Sequence, residues 1–239
     1  LLVARTLEPS VDEPAVRREL DELRDRFVAT IPEGASATTL VRFIGGEGFR
    51  GADNMQALDP SRIDRVLVTR RGIPITLSIP YLMIGRGLGL TTRGVNFPGH
   101  FLLRADGELI DPLNAQLLTQ VDVERWLKEG NFTHLGANAL AAASADDMAL
   151  RMFNNVKAIF AASGDFVGAL AMIDCQLKLV TDGGALHLER AELWFRLGNS
   201  TAAAAVLDSV REQFAGTRWE AEIDKRRRRL GSQPGSTIH

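Results

Sequence analysis

"RGIPITLSIPYLMIGRGLGLTTRGVNFPGHFLLRADGELIDP", residues 71–112, changes periodicity halfway along. From Pro74 to about Gly87 it is almost continuously apolar. Pro74 stands where a helix tolerates proline, in the first turn, whose N–H groups have no intrahelical acceptor. This predicts a buried helix over 74–87, with Pro80 removing one internal hydrogen bond. Beyond Gly89 the runs "RGVNFP", "HFLLRA" and "ELIDP" are short and β-rich, and "ADG" between the last two is a tight hairpin connection. The stretch therefore predicts a buried helix behind a small antiparallel sheet, with one strand opening in His100 and the next closing in Asp111.

N-terminal to this block, Val16, Leu20, Leu23 and Phe27 recur at helical spacing among charges, predicting an amphipathic helix over 11–30. Further helices are expected over 37–44 and 60–69, separated by the glycine-rich "GGEGFRGADN". C-terminal to it a helix is expected over 121–128. From Met148 the pattern is helical throughout and repeats. "ASGDFVGALAMID" aligns with "RLGNSTAAAAVLD", Gly164 over Gly198, Ala169 over Ala203 and Ile173 over Leu207, at an offset of 34 residues. That is the tetratricopeptide period, in which each unit is a helix pair. A last helix over 218–230 would cap the stack.

Composition narrows the function classes. Lys and Arg total 28 against 30 for Asp and Glu, so no global field steers the chain to nucleic acid or an anionic membrane. Cys175 is the one cysteine, which excludes an intramolecular disulfide and fits a reducing compartment, the cytoplasm being the expectation. No apolar run approaches the length of a membrane span. Gly46, Gly48 and Gly51 match G-x-G-x-x-G, but a helical pattern precedes them and no βαβ unit surrounds them, so the match reads as a loop. "KRRRRL" at 225–230 reads as a solvated helix end, its cations complementing the helix dipole. His134, His187 and His239 lack a second ligand at metal spacing, and no metal or cofactor is expected. Cys175, spaced with Ala171 and Leu179, reads as a buried structural thiol.

His100 and Asp111 differ because the hairpin would bring them together, the relation in which a carboxylate orients an imidazole. The bland reading is an exposed histidine and a turn aspartate before Pro112.

The block from "RRGIPITLSIPYLMIGRGLGL" through "GVNFPGHFLLR" to "LIDPLN" resembles the transglutaminase-like superfamily, in the bacterial SirB-type branch where such a core precedes tetratricopeptide helices. The likeness covers roughly 35–126. It implies an α+β fold: a helical N-terminal region and a small antiparallel sheet in a transglutaminase-like (papain-like) core, then an all-α tetratricopeptide-like arm. The layout expected is a core over 1–133, a linker over 134–147, repeats over 148–232 and a disordered tail over 233–239. In competent relatives a cysteine opens the buried helix, where the helix dipole favours its thiolate, and His and Asp follow on the strands. The resemblance places that cysteine on Pro74, leaving His100 and Asp111 as the remnant of a triad. Thr76 lies about 200° around the helix from Pro74, and Ser78 about one turn, roughly 6 Å, deeper. The reading is a non-catalytic, protein-binding or scaffolding module with a polypeptide partner and neither nucleic acid nor membrane. The alternative is a hydrolase or transamidase acting on amides or esters, with Ser78 as substitute nucleophile or with a water activated by His100.

Overall fold

Two of the three N-terminal helices begin where side chains satisfy their free N–H groups. In the computed structural model, which describes residues 1–31, 33–130 and 140–231, a short α1 (Leu2–Leu7) precedes α2 (Glu13–Thr30). Asp12 accepts from the Ala15 N–H at 2.9 Å to start α2, and Val16, Leu20, Leu23 and Phe27 are its buried stripe. α3 (Ala37–Gly46) opens on a reciprocal capping box. Thr39 N–H donates to Ser36 Oγ at 3.1 Å and Ser36 N–H to Thr39 Oγ1 at 2.8 Å.

After Gly48, at φ +84°, the chain turns into β1 (Arg50–Gly51). The order here is helix, loop, strand, the reverse of a dinucleotide-binding turn, in agreement with the loop reading of Gly46, Gly48 and Gly51. The single helix expected over 60–69 is instead a 3-10 turn (Asp59–Ser61) and α4 (Ile63–Thr69), with Arg62 extended between them. The break has a cause. The Pro60 carbonyl is taken by the Ile73 N–H (3.1 Å) and the Thr76 hydroxyl (2.6 Å), so it cannot serve a continuing helix. β2 (Arg71–Gly72) then pairs in parallel with β1, Arg50 opposite Arg71.

α5 (Pro74–Gly87) has the bounds the sequence predicts. It ends in a Schellman turn at Gly89 (φ +81°), where Leu90 N–H donates to the Gly85 carbonyl at 2.9 Å and Gly89 N–H to that of Arg86 at 3.2 Å. β3 (Thr92–Phe97), β4 (His100–Ala105), β5 (Glu108–Asp111), β6 (Gln116–Leu118), then α6 (Gln120–Glu129) and β7 (Ala142–Ala143) follow. The five strands lie in the order β6-β5-β4-β3-β7, each neighbour antiparallel. Asp106 and Gly107, both at positive φ, make the tight connection between β4 and β5. One face of the sheet, with Leu103, Ala105 and Ile110, joins the core formed by α2 to α5. The other, with Val95, Phe97, Leu102 and Leu118, packs on Val123, Trp126 and Leu127 of α6. The closeness of these layers fixes one glycine: a Cβ on Gly85 would come within 2.4 Å of Thr92 Cγ2.

The chain divides into two compact units, Leu1–Met152 and Phe153–His239, the boundary falling inside α7 (Ala145–Ser163). The expected linker over 134–147 lies partly outside the described residues. Its described part holds β7 and the first turn of α7. The expected tail over 233–239, with His239, also lies outside them, as does His134.

In the second unit α8 (Phe166–Leu177), α9 (Gly184–Arg196), α10 (Ser200–Val210) and α11 (Glu220–Gly231) follow. The turns before α8 and α10 repeat bond for bond. Gly164 and Gly198 take φ +80° and +77°. Asp165 and Asn199 cap the Gly168 and Ala202 N–H groups, each at 2.8 Å. Asp165 N–H donates to the Phe160 carbonyl (2.9 Å) and Asn199 N–H to that of Trp194 (3.0 Å). Ala169 and Ala203 are both 0 % exposed.

One expectation fails here. Cys175 is only part-buried and Ala171 is exposed, because Ala169, Leu170, Met172, Ile173 and Gln176 form α8's buried stripe and put 171 and 175 on its flank. The basic run of α11 is solvated at Lys225, Arg228 and Arg229, as expected, while two of its arginines also hold partners. Arg227 pairs with Asp208 of α10 at 2.7 Å, and Arg226 binds Glu222 at 3.1 Å and the Leu188 carbonyl of α9 at 3.2 Å.

Candidate functional site

Pro74 is the first residue of α5 and Ile73 its extended N-cap, as the residue before a proline must be. The Ile73 N–H is satisfied by the Pro60 carbonyl and by Thr76 Oγ1 at 3.1 Å. Thr76 is thus bound to the backbone at the helix start and fully buried. Ser78 is 0 % exposed, and its hydroxyl donates to the Pro74 carbonyl at 2.8 Å, one turn back along the same helix. Neither hydroxyl is presented to a substrate.

His100 opens β4, part-buried, with its ring stacked on the indole of Trp126 at 4.2 Å between centroids and 14° between planes. Phe97 closes a second side, 6.0 Å from the imidazole centroid. Period-two alternation explains the direction. His100 shares the face of Leu102, which packs toward α6, whereas Leu103 and Ala105 face the core containing α5.

Asp111 closes β5 at 3 % exposure. Its Oδ1 accepts from the Leu113 N–H at 2.9 Å and its Oδ2 from Asn114 Nδ2 at 2.7 Å, so the carboxylate is spent on the turn that follows it. Among the described residues no hydrogen bond joins His100 to Asp111. The register pairs Leu103 with Ile110. Continued by one residue it sets Asp111 opposite Leu102, with His100 two residues further along β4. Among the described residues the direct hydrogen bond expected from the hairpin is therefore not made: His100 stacks on Trp126 and Asp111 accepts from its own turn.

Three neighbours escaped the sequence reading. Trp126 sits at the C-terminal limit of the family-like block and could have been noticed as an aromatic on the predicted helix after the sheet. Tyr81, on the buried helix, is 1 % exposed, and its hydroxyl has no protein partner. Burial, and secondly the charge of Asp111, push its phenol well above the ordinary range. Arg151 comes from α7, 51 residues beyond His100 in sequence, and donates from Nη2 to the His100 carbonyl at 2.9 Å. No local pattern announces such a contact.

The arrangement, a buried helix opening in proline and a hairpin carrying His100 and Asp111, is that of a transglutaminase-like core. The family model described as "Transglutaminase-like superfamily" matches residues 14–154, and the chain belongs to that family. It is similar to the UPF0162 protein PA3419 of Pseudomonas aeruginosa, 31% identical over 206 residues, covering 82% of this chain and 76% of that one. A UPF0162 protein of Xylella fastidiosa is 27% identical over 236 residues, covering 91% and 83% of the two chains. The human F-box only protein 21 is 31% identical over 146 residues, which are 56% of this chain and 23% of that protein. No solved structure matches the chain.

Proposed function

We propose that this chain is a non-catalytic member of its family, of the SirB-type branch, in which the former cleft and a tetratricopeptide-like arm bind a polypeptide partner. The observation that carries the reading is Pro74 at the first turn of α5. A proline has no thiol or hydroxyl, and reacting centres tolerate displacements of only about an ångström. The nearest hydroxyls on the helix are bonded to backbone carbonyls and buried. Ser78 accordingly fits the hydrolase alternative poorly. The 34-residue repetition of the turn bonds at Gly164 and Gly198 supports the tetratricopeptide-like reading of the arm. No helix of the described residues is long and apolar enough to cross a membrane.

The test pairs wild type with Pro74→Cys. Wild type is expected to give no hydrolysis or transamidation of glutamine peptides or esters above background. Its iodoacetamide labelling, mapped by peptide mass, should fall on Cys175 alone. In Pro74→Cys the new thiol lies at a helix N-terminus, which lowers its pKa, so position 74 should alkylate faster than Cys175 below pH 8 or so. Wild-type turnover that disappears in His100→Ala or Ser78→Ala would refute the non-catalytic reading.

A further inference from the structure

Arg151 is a cation with no counter-ion among the described residues. It is part-buried, and among the described residues its guanidinium makes no ion pair. Its protein bonds are to neutral oxygens, the His100 carbonyl at 2.9 Å and, at the limit of a hydrogen bond, Asn96 Oδ1 at 3.5 Å. The guanidinium carbon stands 5.6 Å from the centroid of the Phe101 ring. Among the described residues its Nε–H has no hydrogen-bond acceptor, the bonds being made by Nη1 and Nη2. Burial alone depresses its pKa, with no acidic neighbour opposing the shift. Taking a charge out of water is costly unless it is paired, and arginine offers a rigid fork of donors matched to a carboxylate. Arg26, Arg62 and Arg70 of this unit each have an acidic partner within 3.0 Å, whereas Arg71 and Arg104, part-buried like Arg151, are held on backbone carbonyls.

We infer that Arg151 is the recognition residue for an acidic side chain of the polypeptide partner, received beside Asn96 and Phe101, on the sheet face opposite the stacked rings of His100 and Trp126. This rests on the polypeptide-binding reading and names the chemistry of that partner. A carboxylate at the free edge of the guanidinium would replace water on Nε–H and on the weakly held Nη1 while leaving the bond to the His100 carbonyl intact. The backbone beside Arg151 presents a carbonyl rather than a nest of N–H groups. An acid carried on a side chain therefore suits the place better than a chain terminus, which needs such donors.

The experiment titrates the full chain with an acetylated, amidated hexapeptide of alternating Glu and Ala, and with its Gln–Ala counterpart. The readouts are the NMR signals of the Asn96 side-chain amide and the Phe101 ring, which flank the guanidinium. The Glu peptide is expected to shift both, to bind about tenfold or more tightly than the Gln peptide, and to lose that preference in Arg151→Gln. Arg151→Lys keeps the charge without the fork and should retain part of the preference. It also carries the test if Arg151→Gln loses its cooperative melt. A residue that only fastens α7 to the hairpin would lower the melting midpoint on substitution without altering the Glu-over-Gln ratio, and that result overturns the inference. Equal binding of both peptides, unchanged in the variants, also overturns it while leaving a polypeptide-binding cleft in place. Binding of neither peptide overturns it too. Failure of the underlying reading has a separate signature, wild-type turnover dependent on His100.

Discussion

Tyr81 is the one tyrosine of the chain, and it lies on α5 with 1 % of its surface exposed. Burial in apolar surroundings, reinforced by the nearby negative Asp111, disfavours the phenolate and raises the phenol pKa in the folded state. The consequence is visible without a label. In alkaline titration the near-ultraviolet phenolate band of the native chain should stay absent where free tyrosine ionises, around pH 10, and appear only on unfolding. The linkage follows the same sign. The unfolded chain gives up the proton first, so this contribution to stability is intact below about pH 10 and is lost as pH rises toward the folded pKa. Tyr81→Phe should therefore melt less steeply with rising alkalinity than wild type. Because the hydroxyl lacks a protein partner, the substitution should change neutral-pH stability by no more than about 1 kcal/mol. Phenolate absorbance rising in the folded protein near pH 10 would show the ring to be solvated. Residue-scale legibility was uneven here. Pro74, His100 and Asp111 could be placed because each sits at the end of an element with a clear pattern. The bonds they make could not, since Trp126 and Arg151 reach His100 from distant parts of the chain.

At the scale of elements, the sequence was clearest where local chemistry decides a boundary. α5 begins at a proline and ends at Gly89, and both are positional signals that no tertiary contact overrides. β1 and β2 were missed because each is two residues long and their parallel pairing spans 21 positions, Arg50 to Arg71; nothing local encodes it. The break at Arg62 was missed for a similar reason, since the acceptor that ends the turn serves the start of α5. In the second unit, the start of α9 is set by a contact between residues far apart in sequence. A Cβ on Gly184 would come within 2.3 Å of Trp219 Cδ1, while the indole Nε1 donates to Asp182 Oδ1 at 2.7 Å just ahead of the helix. The ring cannot swing aside without giving up that bond. Gly184→Ala is therefore expected to destabilise the protein by about 1–3 kcal/mol, read from urea denaturation. The double variant Gly184→Ala with Trp219→Leu should lose less than the two single effects combined, because the clash and the ring disappear together. Strict additivity would mean that the indole is not what excludes a side chain at 184.

For the molecule as a whole, the question is what its charge can attract. Net charge is −2, yet the C-terminal helix carries Lys225 through Arg229, a run whose composition alone suggests phosphate binding. In the fold part of that charge is already shared with carboxylates. Asp208 takes Arg227 at 2.7 Å, and Glu222 lies 3.1 Å from Arg226 and 3.7 Å from Lys225. A helix of such polarity, burying little beyond Ile223, suits the end of a helical stack, where one face must pack and the other must be wet. Nucleic-acid binding draws its affinity from cations free to replace counter-ions on phosphates, and its logarithm falls linearly with that of salt concentration. Cations already shared with carboxylates have less to gain. The expected outcome is that a fluorescently labelled DNA duplex shows no change in anisotropy with the full chain at physiological salt, even at micromolar protein. Arg227→Ala and Arg228→Ala should both leave that result unchanged, while Arg227→Ala, which strands Asp208, should lower the thermal midpoint slightly more than Arg228→Ala. Micromolar binding that weakens steeply with salt and is reduced by either substitution would mean that phosphates outcompete the carboxylates for these arginines. α11 would then be an electrostatic surface in its own right rather than the polar end of the arm.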